Sequence, residues 1–125
     1  MTNISKDATE FNFDRWSALL ELSPSLSLKT SDTDQGVVYS VVYQGKNIAV
    51  HTDLLGLNSW VEYHSLLGLN ILKQKVIECQ GATLRHLDSP DVAQYWSVMT
   101  TFYVGMRNRK IAQRNAIQKK LGASA

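Results

Sequence analysis

Cysteine is almost missing from this sequence; Cys79 is the only one. A single thiol builds neither a disulfide framework nor a cysteine-rich metal site, so a disulfide-free protein of the cytoplasm is expected. Long apolar runs are missing too. The longest apolar-rich stretch, residues 92–106, is 15 residues long and contains Gln94, Ser97 and Thr100. A membrane span needs about 20 predominantly apolar residues, so no membrane association is expected. The opening MTNISKDATE has no charged region followed by an apolar one, which argues against a secretory signal. There is no glycine-rich phosphate loop, no paired metal-ligand spacing and no nucleophile elbow. The last absence is of one charge: no aspartate or glutamate follows Asp91.

What is present suits one α+β domain over residues 1–125, since 125 residues with 44% apolar content can fill a single core. Residues 1–8 are polar and expected to be flexible. Phe13, Trp16, Leu19 and Leu20 are spaced for a short helix capped by Asn12 or Asp14, with the aromatics as core anchors. Ser23-Pro24 stops that helix at Leu22. Three strands follow, at 25–28, 37–43 and 47–52. Gln44-Gly45 forms a two-residue hairpin turn and the polar segment 30–36 a loop, giving a three-stranded antiparallel meander. Val37, Val38, Val41 and Val42 leave little polar surface on the middle strand, so both its faces are expected to be covered.

Residues 54–80 read as a second helical region. Ser59 and Glu62 form a capping box, and Gly81 stands at the position just past the helix end. Leu-Leu-Gly-Leu-Asn occurs twice, at 54–58 and 66–70. A 12-residue offset turns a helix by about 120°, so the copies share no face and are read as coincidence. Gly68 marks a kink or a close approach of another backbone. A competing reading ends the helix near Gly68 and folds 75–86 into a hairpin. Residues 82–88 connect to the final helix.

That final helix organises the chain. Ser89 serves as cap, Pro90 opens the first turn and Asp91 meets the positive end of the helix dipole. Val92, Tyr95, Trp96, Met99, Phe102, Tyr103 and Met106 then lie in one stripe. Beyond Met106 the same line carries Lys110, Gln113 and Arg114, with Arg107 at its edge, before Ile117 and Leu121 return. The two longer helices are expected to pack on the sheet, and because burying unpaired cations is costly, the last is expected to leave its domain near Met106. Residues 107–125 then form a basic extension. Residues 92–125 hold 6 of the 13 basic residues and no acid, hence +6, while everything before them sums to −4. The bland alternative is a solvated helix end whose cations face the dipole.

Catalysis is not expected. His51, His64 and His86 are scattered, and on one continuous helix His64 and Cys79 stand about 22 Å apart. Cys79 reads as a small buried apolar residue, and His51 with Asp53 as a strand end and a helix cap. No metal or cofactor site is indicated. The candidate site is the basic half-helix, Arg107, Arg109, Lys110, Arg114, Lys119 and Lys120. It suits either a protein groove with an acidic rim, including one on a second copy of the chain, or a run of phosphates. Base stacking is unsupported, since Tyr103 is the only aromatic near the segment.

No family is identified by motif. The order of elements over 37–121, a hairpin leading into two helices with a basic tail, resembles small assembly chaperones of long-tailed bacteriophages. The resemblance implies an adaptor or assembly factor of phage or mobile-element origin, and assigns no residue a role. A non-catalytic interaction protein is therefore expected, with nucleic-acid binding as the alternative.

Overall fold

The computed structural model describes the backbone of residues 10–124 and side chains through Gly122; the expected flexible segment 1–8 lies outside the described residues. The fold is α+β. In order come α1 (Phe13–Leu22), β1 (Leu26–Thr33), β2 (Gly36–Tyr43), β3 (Lys46–His51), α2 (Leu54–Ser65), α3 (Leu69–Arg85) and α4 (Pro90–Ser124). The chain divides into two compact units, the first ending at Leu67 and the second beginning at Gly68.

In the first unit, Asn12 caps α1 by accepting from the Arg15 N–H at 3.1 Å. The helix ends at Leu22, and Ser23 takes the cap position before Pro24. Leu19 and Leu22 are its buried residues, whereas Phe13 is 70% exposed and is not a core anchor. The sheet is an antiparallel meander in the order β1-β2-β3. Gln44 and Gly45 both have positive φ, 51° and 80°, as a tight hairpin turn requires.

Residues 30–36 are not a loop. β1 continues to Thr33, β2 starts at Gly36, and only Asp34-Gln35 turn between them. The Thr33 hydroxyl closes the turn by donating to the Gly36 carbonyl at 2.7 Å, and accepts from the Gln35 N–H at 3.2 Å. This end of the hairpin is exposed on both faces, so its strands carry loop-like polar residues. Nearer its other end, adjacent Ser40 and Val41 are both buried, which screens both faces there. Ile48 is buried and Val50 exposed although they are two positions apart in one strand, because the β2–β3 register shifts between Val41 and Val42.

The region 54–80 is two helices, not one. Asp53 caps α2 by accepting from the Gly56 N–H at 2.7 Å, so Ser59 and Glu62 fall inside a helix already begun. At its end the Ser65 hydroxyl donates to the Glu62 carbonyl at 2.9 Å, which competes with the regular ladder. Leu66 leaves the helix, and Gly68, extended at φ −79° and ψ 165°, caps α3. Gly81 is interior to α3, which runs to Arg85, so 75–86 is helical and not a hairpin. Residues 86–89 make the turn into α4, where the Ser89 carbonyl accepts from the Ala93 N–H at 2.9 Å.

In the second unit α3 and α4 pack along one another as a helical hairpin. Leu72, Val76, Cys79 and Ala82 are the buried stripe of α3; Met99, Phe102, Tyr103 and Met106 are that of α4. The α4 stripe is shorter than its spacing suggests, since Val92 and Tyr95 are about 40% exposed.

Candidate functional site

Met106 is fully buried, and it is the last buried residue among those described. Arg107, Lys110 and Ile111 are half-buried, and every residue from Ala112 to Gly122 is exposed. Three helical turns therefore run with no described residue covering any side. Ile117 and Leu121 lie one turn apart, 59% and 66% exposed, in line with Lys110 and Arg114.

Arg107 donates from its guanidinium to the neighbouring Asn108 side chain at 3.2 and 3.3 Å. Among the described residues no carboxylate pairs with Arg107, Lys110, Arg114 or Lys119. Helix-end electrostatics do not account for these charges. The dipole acts within about one turn of the terminus, and the last turn of α4 contains no basic residue. Within the helix, Lys110 and Arg114 are like charges four residues apart, which costs a few tenths of a kcal/mol. An isolated, marginal helical segment with repelling cations gains from a partner that supplies carboxylates or phosphates.

A second surface was not legible in the sequence. The first unit has a largely apolar cleft of about 490 Å³, walled by Phe11, Phe13, Trp16, Tyr39, Leu54 and Leu57. Phe13 stands edge-on to Phe11, with ring centroids 4.9 Å apart at 89°, and Trp16 leans on Phe11 at 5.8 Å. The floor comes from β1, whose Leu26, Leu28 and Thr30 share one face. Asp32 continues that face toward the exposed end of the hairpin.

Asn58 of α2 fixes the entry segment. Its side-chain oxygen accepts from the Asn12 N–H at 2.9 Å, and its side-chain nitrogen donates to the Glu10 carbonyl at 2.8 Å. Phe11, between those two residues, is held against the cleft by this two-point clamp. Helical spacing marks Phe13 as an inward residue, but it cannot reveal a partner 46 residues away that fixes where the segment enters.

The remaining candidate groups belong to neither surface. His51 ends β3 and Asp53 caps α2, the Asp53 oxygen being committed to the Gly56 N–H. His51 Nε2 is buried without a hydrogen-bond partner among the described residues. His64 is buried, stacks on Trp60 with centroids 3.9 Å apart, and donates from Nδ1 to the Trp60 carbonyl at 2.8 Å. His86 donates to the Ala82 carbonyl at 2.8 Å. Neither His51 nor His64 lines the cleft. His64 and Cys79 belong to different units, so the spacing computed along one helix does not apply. Burial pushes the Cys79 thiol up, against the pull of Lys75 and with a smaller push from Glu78, which makes thiolate chemistry unfavourable.

No described group of three histidine, cysteine, aspartate or glutamate residues could hold a metal ion, and no described helix is long and apolar enough to cross a membrane. Compared with known proteins, the chain matches no family model, no curated protein and no solved structure.

Proposed function

We propose that this chain is a non-catalytic interaction protein, an adaptor or assembly factor, whose working surface is residues 103–121 of α4. One observation carries the reading: from Ala112 to Gly122 the helix is exposed on every side while it presents Ile117 and Leu121 beside Lys110 and Arg114. A helix this bare gains stability by laying its apolar residues in a groove with an acidic rim. The partner is a protein, either another chain or a second copy of this one.

Light scattering of the purified protein at low and high salt, with and without nuclease, tests this. Association that survives nuclease and is lost in an Ile117→Asp/Leu121→Asp variant supports the reading. Association that disappears with nuclease transfers the surface to the alternative partner, nucleic acid. The clustering of six cations in residues 107–120, with no acid beyond Asp91, favours that alternative. In that case Arg107→Ala/Lys110→Ala/Arg114→Ala lowers the slope of log affinity against log salt by about 0.9 for each phosphate contact removed. A protein groove instead responds most to loss of Ile117 and Leu121.

A further inference from the structure

We infer that the receiver of this helix is the aromatic cleft of the first unit on a second copy of the chain. The inference rests on the proposed role of α4 and adds the identity of the partner and its site.

Charge argues for it first. The two compact units differ in sign: residues up to Leu67 carry eight acids and four bases, −4, while those from Gly68 carry three acids and nine bases, +6. The imbalance is sharpest where the surfaces lie. Residues 10–39, which provide most of the cleft, include Glu10, Asp14, Glu21, Asp32 and Asp34 against Arg15 and Lys29. Glu10 and Asp14 flank the cleft residues Phe11 and Phe13 in the chain, and Asp32 extends the β1 face that forms the floor. All three are exposed. The donor helix has no acid from Val92 onward. Opposite signs steer association, and like-signed docking of two helices or two clefts is disfavoured.

Shape and reach agree. From Met106 to Leu121 the helix advances about 22 Å. Ile117 and Leu121 therefore stand well beyond the last buried residue of their own unit. Pockets that bury apolar ligands span about 300–1,000 Å³, and this cleft, at about 490 Å³, can take an aliphatic pair. With Ile117 and Leu121 inserted, Lys110 and Arg114 stay along the rim one and two turns away. There they meet carboxylates and exposed ring faces, and a guanidinium is favoured over both. Apolar surface on both sides leaves water at the same time: Phe13 on the receiver, Ile117 and Leu121 on the donor.

Each copy then has one donor and one receiver, so docking either closes reciprocally or propagates head to tail. The test is complementation, read by light scattering or sedimentation at low salt. One variant disables the receiver, Phe13→Lys, at a side chain exposed enough for folding to persist. The other disables the donor, Ile117→Asp/Leu121→Asp, at two exposed positions of a segment with no described buried side chain. Thermal melts confirm that both are folded. Alone, each is expected to associate about tenfold or more weakly than the unaltered chain, the loss of one interface anchor. Mixed in equal amounts they are expected to form a complex, because one good donor meets one good receiver.

Normal association of Phe13→Lys alongside loss in the donor variant would overturn the cleft as receiver and leave the role of α4 intact. Failure of the mixture to associate would do the same. A wild-type chain that stays monomeric at every salt concentration would overturn self-docking. If α4 also captures no other protein or nucleic acid, the proposed function falls with it.

Discussion

At the scale of single residues, two amides and a carboxylate, Asn12, Asn58 and Asp53, hold backbone groups of the first unit. Asn58 satisfies two backbone groups on the segment that leads into α1. Asn58→Ala hands both exposed groups to water and, at about 0.5–1 kcal/mol for each lost bond, is expected to cost about 1–2 kcal/mol, measured by urea unfolding. It should also weaken any binding to the cleft, since Phe11 is no longer held. Two glycines offer a sharper contrast. A Cβ at Gly81 meets only the far end of the Arg85 side chain at 3.2 Å, so Gly81→Ala is expected to stabilise by about 0.5–1 kcal/mol. A Cβ at Gly56 comes within 3.1 Å of His51 Nδ1 and 3.2 Å of the capping Asp53 oxygen. There the helical gain is offset by displacement of the cap, worth about 1 kcal/mol, and thermal melts should show no stabilisation.

Titration adds a prediction with a definite sign. Burial raises the Cys79 thiol above its usual value of 9.0 and the Tyr43 and Tyr95 hydroxyls above theirs of 10.0. The unfolded chain releases these protons first, so their contribution to stability is complete below about pH 9 and is lost as pH rises through the folded-state values. Unfolding midpoints should therefore be level up to pH 9 and fall beyond it. Cys79→Ala should remove the part of the decline that begins lowest.

At the scale of elements, much of the architecture was legible because local chemistry and burial agreed. Ser23-Pro24, Gln44-Gly45 and Pro90 each forced a boundary by their own backbone preferences, and each boundary is where it was expected; of the two caps open for α1, Asn12 and Asp14, Asn12 takes the role. Elements were misread where two local signals competed. Asp53 and Ser59 are both good caps, and spacing could not choose between them; Asp53 directly follows the last strand and takes the earlier start. The repeated Leu-Leu-Gly-Leu-Asn is the clearest case. In the first copy Gly56 is helical; in the second Gly68 is an extended cap, so the pentapeptide alone does not decide the conformation. The basic half of α4 was legible because its charge breaks the apolar stripe. The cleft was not, because its walls come from α1, β1, β2 and α2, and no sequence period spans them.

The exposed end of α4 also carries an element-scale prediction. Ending the chain after Ile111 removes no described buried residue. It should change the stability of the remainder by less than about 0.5 kcal/mol in thermal melts while abolishing association. A loss of several kcal/mol would mean that the segment is part of a core.

At the scale of the whole molecule, the two compact units divide the formal charge, and the net value of +2 hides the division. Self-association driven by that polarity should weaken strongly between 0.05 and 0.5 M salt, as the screening length contracts from about 14 Å to about 4 Å. Trypsin provides an independent reading. Its sites at Arg109, Arg114 and Lys119 should be protected at low salt and high protein concentration, and cut readily when salt or dilution frees the helix. Protection that ignores both variables would place the helix inside its own subunit.

The Asn58 clamp has a bearing on synthesis. It bonds to residues made 46 and 48 positions earlier, so the aromatic wall must wait until α2 has emerged before it is fixed. The basic rod of α4 is translated after α2. On a growing polypeptide the proposed receiver is thus complete before its proposed donor has been made, so a rod that docks at that moment comes from another molecule.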